Sequence, residues 1–156
     1  ISIFDYVFTD AMTWTDRKGR RMRLWMPEEV FVDDKNDFME QLVVKIVEVM
    51  EKEPIDIYVN STFLPDVLQA DYDALWTEER MDKVIHAAVK NNIAIEINAR
   101  YKIPSATFIK RAKKAGVKFS MGTNNADREL GTLDYALEMI AECGLKPGDF
   151  FKPQKK

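Results

Sequence analysis

Four short apolar runs in this chain each lead into residues able to hold a ligand. The run Ser2–Thr9 ends beside Asp10, and Ile55–Asn60 ends in Asn60 followed by Ser61 and Thr62. The run Ile93–Asn98 carries Glu96 and Asn98 and is followed by Arg100. Val117–Met121 leads into Asn124, Asn125, Asp127 and Arg128. Carboxylates accept hydrogen bonds or ligate cations, amides read hydroxyl groups, and guanidinium forks match phosphate oxygens. Gathered in one cavity, such a set suits a small phosphorylated or polyhydroxylated ligand. Glu96 is the sharpest member. In "AIEIN", strand alternation puts Glu96 and Asn98 on one side and Ile95 and Ile97 on the other. A carboxylate among isoleucines needs a partner, and two are open: a ligand site, or a salt bridge such as one to Arg100.

Other chemistries lack their residues. His86 is the only histidine and reads as a helix-flank residue; Cys143 is the only cysteine and reads as structural. An ordinary zinc site or a nucleophilic triad therefore cannot be built from this chain alone. No GxGxxG follows any strand and no Walker lysine motif appears, so neither a dinucleotide nor a P-loop site is supported.

The elements that must position these residues alternate. Between the strand-like runs lie amphipathic helical patterns. "DFMEQLVVKIVEVMEKE" aligns Phe38, Leu42, Ile46 and Val49. "TEERMDKVIHAAVKNN" begins at a Thr77 cap, and "SATFIKRAKKAG" runs from Ser105 to a terminating Gly116. "GTLDYALEMIAECG" closes the set. The order β-α-β-α-β-α-β-α predicts an α/β fold with a parallel sheet. Four such units make half of a closed barrel, and an open half leaves two strand edges unpaired. The chain opens "ISIFDYVF", already inside a strand-like run, which predicts that residues are missing upstream or that another chain supplies the other half. Two long connections follow strands and so fall on the functional face of such a fold. One, within residues 10–34, predicts a hairpin insert over 13–27 around Asp16-Arg17-Lys18-Gly19. The other spans residues 61–76.

A chain of 156 residues with 46% hydrophobic content is enough for one domain with a real core. The net charge of −3 gives no general attraction to nucleic acid or anionic membrane. No apolar run reaches the roughly 18 residues of a membrane span. With one cysteine and no visible signal peptide, a cytoplasmic location is expected. The basic run Arg17, Lys18, Arg20, Arg21 and Arg23 is either a phosphate-binding patch or a solvated hairpin tip.

Several stretches together carry a family resemblance: "FDYVFTDAM", "IDIYVNSTFLP", "AIEINAR", "FIKRAKKAGVKFSMGTNNADRELG" and "YALEMIAECGL". They resemble the C-terminal half of PHP-domain (polymerase and histidinol phosphatase) proteins across almost the whole of residues 1–156. The resemblance implies about half of a distorted (β/α)7, TIM-like barrel. It also implies a divalent metal site (Mg, Mn or Zn) and hydrolysis of phosphoesters. Carried onto this chain, its ligand positions are altered. The family's metal-binding histidine after the first motif falls at Met12, and its His-Pro falls at Asn60-Ser61. Its Asp-x-His falls at Asn124 and Ala126, while Glu96 and Asn98 match. The family's His-x-His strand would lie before Ile1. Asn is a neutral, weak ligand in place of imidazole or carboxylate, so Asp10 and Asp127 become the candidates for a rebuilt magnesium-type catalytic site. Two functions are expected. One is a PHP-like metal-dependent hydrolase with an altered or reduced metal set. The other is a non-catalytic PHP-like barrel that binds a phosphorylated or sugar-like ligand through Asn60, Glu96, Asn98, Arg100, Asn124, Asn125 and Arg128. The missing half of the barrel, or a second copy in a homo-oligomer, is the partner this reading implies.

Overall fold

A computed structural model describes residues 3–125, 128 and 130–154 of the chain. It runs β1 (Phe8–Thr9), a hairpin of β2 (Thr13–Thr15) and β3 (Arg21–Arg23), then α1 (Lys35–Lys52) and β4 (Ile57–Tyr58). Two single-turn helices follow, α2 (Asp66–Gln69) and α3 (Tyr72–Leu75), and then α4 (Glu78–Lys90) and β5 (Ala94–Asn98). The chain continues through α5 (Ala106–Ala115), β6 (Phe119–Gly122) and α6 (Asp134–Glu142).

The sheet is parallel and its strand order β1-β4-β5-β6 follows the chain. The α/β expectation is met. Successive long helices touch in the same order, α1 on α4, α4 on α5 and α5 on α6, so they form one layer. Strand registers pair Ile95 with Phe119 and Tyr58, and Ile97 with Met121. Tyr58, Ile95, Ile97 and Phe119 are buried in the main apolar core with residues of those helices. Ile57, Ala94, Glu96 and Asn98 occupy the opposite face. Beyond β6, Phe150 makes a parallel bridge to Phe119, and the Phe151 N–H donates to the Phe119 carbonyl. Phe151 then meets Tyr6, which precedes β1, edge to face at 6.2 Å between ring centroids. Side chains from the two ends of the strand order therefore touch, and the sheet is curled.

Local chemistry accounts for most boundaries. Asp34, Thr77 and Ser105 each accept a hydrogen bond from the backbone N–H three residues on, capping α1, α4 and α5. Gly116 ends α5 at φ 92°, a left-handed conformation that glycine adopts without penalty. Arg80, almost fully buried at the start of α4, binds Glu40, the Leu75 carbonyl and Asn36, which locks α1 and α3 to α4.

Some boundaries differ from the sequence pattern. The first run pairs only at Phe8–Thr9, because the Val7 N–H is taken by the Asp56 side chain rather than by a ladder carbonyl. The segment 61–76 is not an irregular loop. It holds α2 and α3, pinned where Trp76 Nε1 donates to the Thr62 carbonyl and the Tyr72 hydroxyl meets Thr62 Oγ1.

The expected hairpin forms. Asp16 Oδ1 accepts the N–H groups of Lys18 and Arg20, and Gly19 supplies φ 79°. Four of its five cations are paired with acids: Arg17 with Asp37, Lys18 with Asp33, Arg20 with Asp16 and Asp33, and Arg23 with Glu29, while Arg21 is exposed. The Arg20 guanidinium also lies over the Phe31 ring at 4.8 Å. Of the two readings open for the basic run, the structure favours the exposed, ion-paired tip. Among the described residues, no helix is long and apolar enough to cross a membrane.

Candidate functional site

The C-terminal ends of β1, β4 and β5 bring Asp10, Asn60, Glu96 and Asn98 into one hydrogen-bonded chain. Asp10 follows Phe8, the partner of Ile57, by strand alternation onto the face away from the helices, termed the concave face. Asn60 reaches that face differently. Two residues after Tyr58, it would point toward the helices were the strand to continue. Its backbone is left-handed at φ 53°, a conformation asparagine tolerates better than most residues. Glu96 and Asn98 share the concave side of β5, as the alternation predicts.

The orientation of the chain of bonds is set at one end by the backbone. The Tyr101 N–H donates to Asn98 Oδ1 at 2.9 Å, so the Asn98 amide nitrogen must face the other way. That nitrogen donates to Glu96 Oε1 at 2.8 Å and to Asn60 Oδ1 at 3.1 Å. Asn60 Nδ2 is thereby directed to Asp10 Oδ2, at 3.0 Å. The second Asp10 oxygen accepts the Met12 N–H at 3.0 Å. Neither a salt bridge to Arg100 nor any other ion pair is needed to hold Glu96; amides hold it.

Glu96 is 6% exposed and Asn98 1%. Burial pushes the Glu96 carboxyl above its ordinary range. Hydrogen bonds from the Asn98 side chain and the Asn60 backbone oppose that shift, and the Asp10 charge adds to it. Space for the carboxylate comes from Gly122, its diagonal neighbour on β6. A Cβ there would lie 2.1 Å from Glu96 Oε1.

Other expected site residues stand at the rim. Asn124 is exposed with φ 46°, and the Arg100 guanidinium donates to its carbonyl at 3.5 Å. Asn125 Oδ1 accepts the Thr123 hydroxyl and the Gly131 N–H, so this amide shapes its own loop. Arg128 is exposed. Asp127, expected as a catalytic group, and Ala126 lie outside the described residues. Met12, at the position matching a family histidine, is buried in the core. His86 is exposed on α4, and Cys143 is buried with its thiol pushed up by desolvation.

Among the described residues, the donor set does not fit the divalent metal that the resemblance implies. Among the described residues, no three His, Cys, Asp or Glu side chains gather into a metal-binding group. Between Asp10 and Glu96 stand amide N–H groups, which donate to the carboxylates and carry no lone pair for a cation. The Asn98 oxygen is turned away from both carboxylates, toward the Tyr101 N–H. What the arrangement can do is present hydrogen-bonding groups of fixed polarity. Asp10 keeps unused acceptor capacity on a half-buried carboxylate, and the second N–H of Asn60 meets no acceptor among the described residues.

Sequence reasoning missed Tyr101, whose backbone fixes the whole chain, and Gly122, which admits Glu96. A glycine three residues after a strand phenylalanine was visible, but the diagonal neighbour it makes room for was not. No family model and no curated protein matches this chain.

Proposed function

We propose that the chain is part of a PHP-like barrel whose strand ends bind a small polyhydroxylated or phosphorylated ligand without metal-dependent hydrolysis. The sequential parallel order β1-β4-β5-β6, the single helix layer and the curl of the sheet support a barrel segment. The observation that carries the functional reading is the oriented chain Asp10–Asn60–Asn98–Glu96, in which amide N–H groups stand where a cation would bridge carboxylates. A carboxylate beside an amide donor brackets a hydroxyl: Asp10 accepts its O–H and Asn60 donates to its oxygen.

Two measurements on the isotopically labelled chain test this. Ribose 5-phosphate is expected to shift the Asn60 side-chain amide resonance, and manganese or zinc is expected not to remain at equimolar ratio after dialysis. No Asn60 shift overturns the binding reading. Equimolar metal with manganese-dependent release of phosphate from p-nitrophenyl phosphate establishes the hydrolase instead.

A further inference from the structure

We propose that a cleft formed by the loops after β4 and β5 seats a flat aromatic anion, a site distinct from the hydroxyl-binding cluster. The cleft has a volume of about 350 Å³, within the roughly 300–1,000 Å³ range of small-molecule sites. Phe63, Tyr72 and Tyr101 supply aromatic walls, and Arg100 and Lys102 supply positive charge on the same lining. Phe63 packs edge-on against Tyr101 with centroids 4.8 Å apart, which fixes the half-exposed Tyr101 ring as a platform for stacking.

Lys102 sharpens the case. Its backbone is left-handed at φ 53°, a conformation costly for lysine, and its exposed side chain is in no ion pair with a described residue. A lysine strained into the mouth of an aromatic cleft, one residue from the platform and two from an arginine, is the arrangement an anionic head group requires. The flat body of the ligand stacks on Tyr101, and its anionic end meets Lys102 and Arg100. Whether that end is a carboxylate or a phosphate is left to the probes.

Calorimetric titration with 2-naphthoate, 2-naphthyl phosphate and neutral 2-naphthalenemethanol tests the assignment. Both anions are expected to bind at least about tenfold tighter than the alcohol, the tighter of the two identifying the head group. Lys102→Asn keeps a residue tolerant of positive φ while removing the charge. It is expected to weaken the anions by about fivefold or more and leave the alcohol unchanged. Tyr101→Leu keeps the backbone N–H on Asn98 and is expected to weaken all three probes. Circular dichroism confirms that each variant is folded. Equal binding of alcohol and anions, or anion binding that survives both substitutions, overturns the assignment. The Asn60 amide response to ribose 5-phosphate is read in the same variants, so loss of the cleft and loss of the strand-end site are separately visible.

Discussion

Glu96 and Gly122 form a pair in which one residue's lack of a side chain makes room for the other's. Adding a methyl group to Gly122 forces it against the Glu96 carboxylate, at 2.1 Å from Oε1. The carboxylate is anchored by Asn98 and cannot swing away without breaking that bond. Gly122→Ala is therefore expected to lower unfolding stability by about 1–3 kcal/mol, the usual cost of overpacking. In the double variant with Glu96→Ala the loss should be clearly less than the sum of the two single losses, and urea unfolding of the four proteins measures this. A second expectation concerns protons. The folded-state pKa of Glu96 is raised above the ordinary 4.5. Below that value both folded and unfolded chains hold the proton, and the carboxyl's contribution is complete. As pH rises, the unfolded chain releases its proton first and the contribution is lost through the folded-state pKa. Wild-type stability relative to non-titrating Glu96→Gln should then fall from pH 4.5 upward, followed as urea midpoints against pH. A flat difference would mean that the buried carboxyl is not held up. Of this cluster, strand alternation made the Glu96–Asn98 pairing legible. Asn60 was legible only as a strand-end residue, because its turn onto the concave face depends on a left-handed φ that no periodicity reveals.

At the scale of elements, the hairpin β2–β3 is attached to the body through charges rather than apolar contacts alone. Asp33 receives both Arg20 and Lys18, and these hydrogen bonds hold its carboxyl down at about 2, against an ordinary 3.8. A depressed carboxylate contributes stability above its unfolded value and loses it as pH falls toward the folded one. The hairpin's protection from proteolysis should thus persist at neutral pH and decline between 3.8 and about 2. Asp33→Asn should remove that acid transition. Asp33 and Lys18 are solvent-exposed and Arg20 is half-buried, so about 1 M salt should reduce the difference between wild type and variant. Proteolysis kinetics across that pH range, with and without salt, is the measurement. Element type was largely legible here. Asp16-Arg17-Lys18-Gly19 announced a turn, and Thr77, Ser105 and Gly116 announced helix ends, since each acts on backbone groups a few residues away. The segment 61–76 was not legible. Its two short helices are held by Trp76 and Tyr72 reaching back to Thr62, contacts with no local periodicity.

For the whole molecule, the curl of the sheet decides whether the strand ends face one another across a cavity. Parallel order alone does not supply it; a flat parallel sheet has the same alternation of strand and helix, so the alternation predicts the units, and the expected barrel curvature came only from the family resemblance. The contact that reports it is Tyr6 on Phe151, whose rings meet although their segments lie at opposite ends of the strand order. Tyr6 is 45% exposed, so its packing contribution alone is modest. The informative quantity is the coupling. A double-mutant cycle with Tyr6→Ala and Phe151→Ala should give an interaction energy of about 0.5–1.5 kcal/mol, the range for aromatic pairs in contact. In a sheet that opens in solution the two substitutions would act independently, and the cycle would close near zero. Phe151→Ala spares the Phe151 N–H bond to Phe119, so the cycle reads the ring contact and not the added backbone pairing. A coupling in the expected range, measured by chemical unfolding, would establish that the two ends of the strand order are held together in solution, as the curl requires.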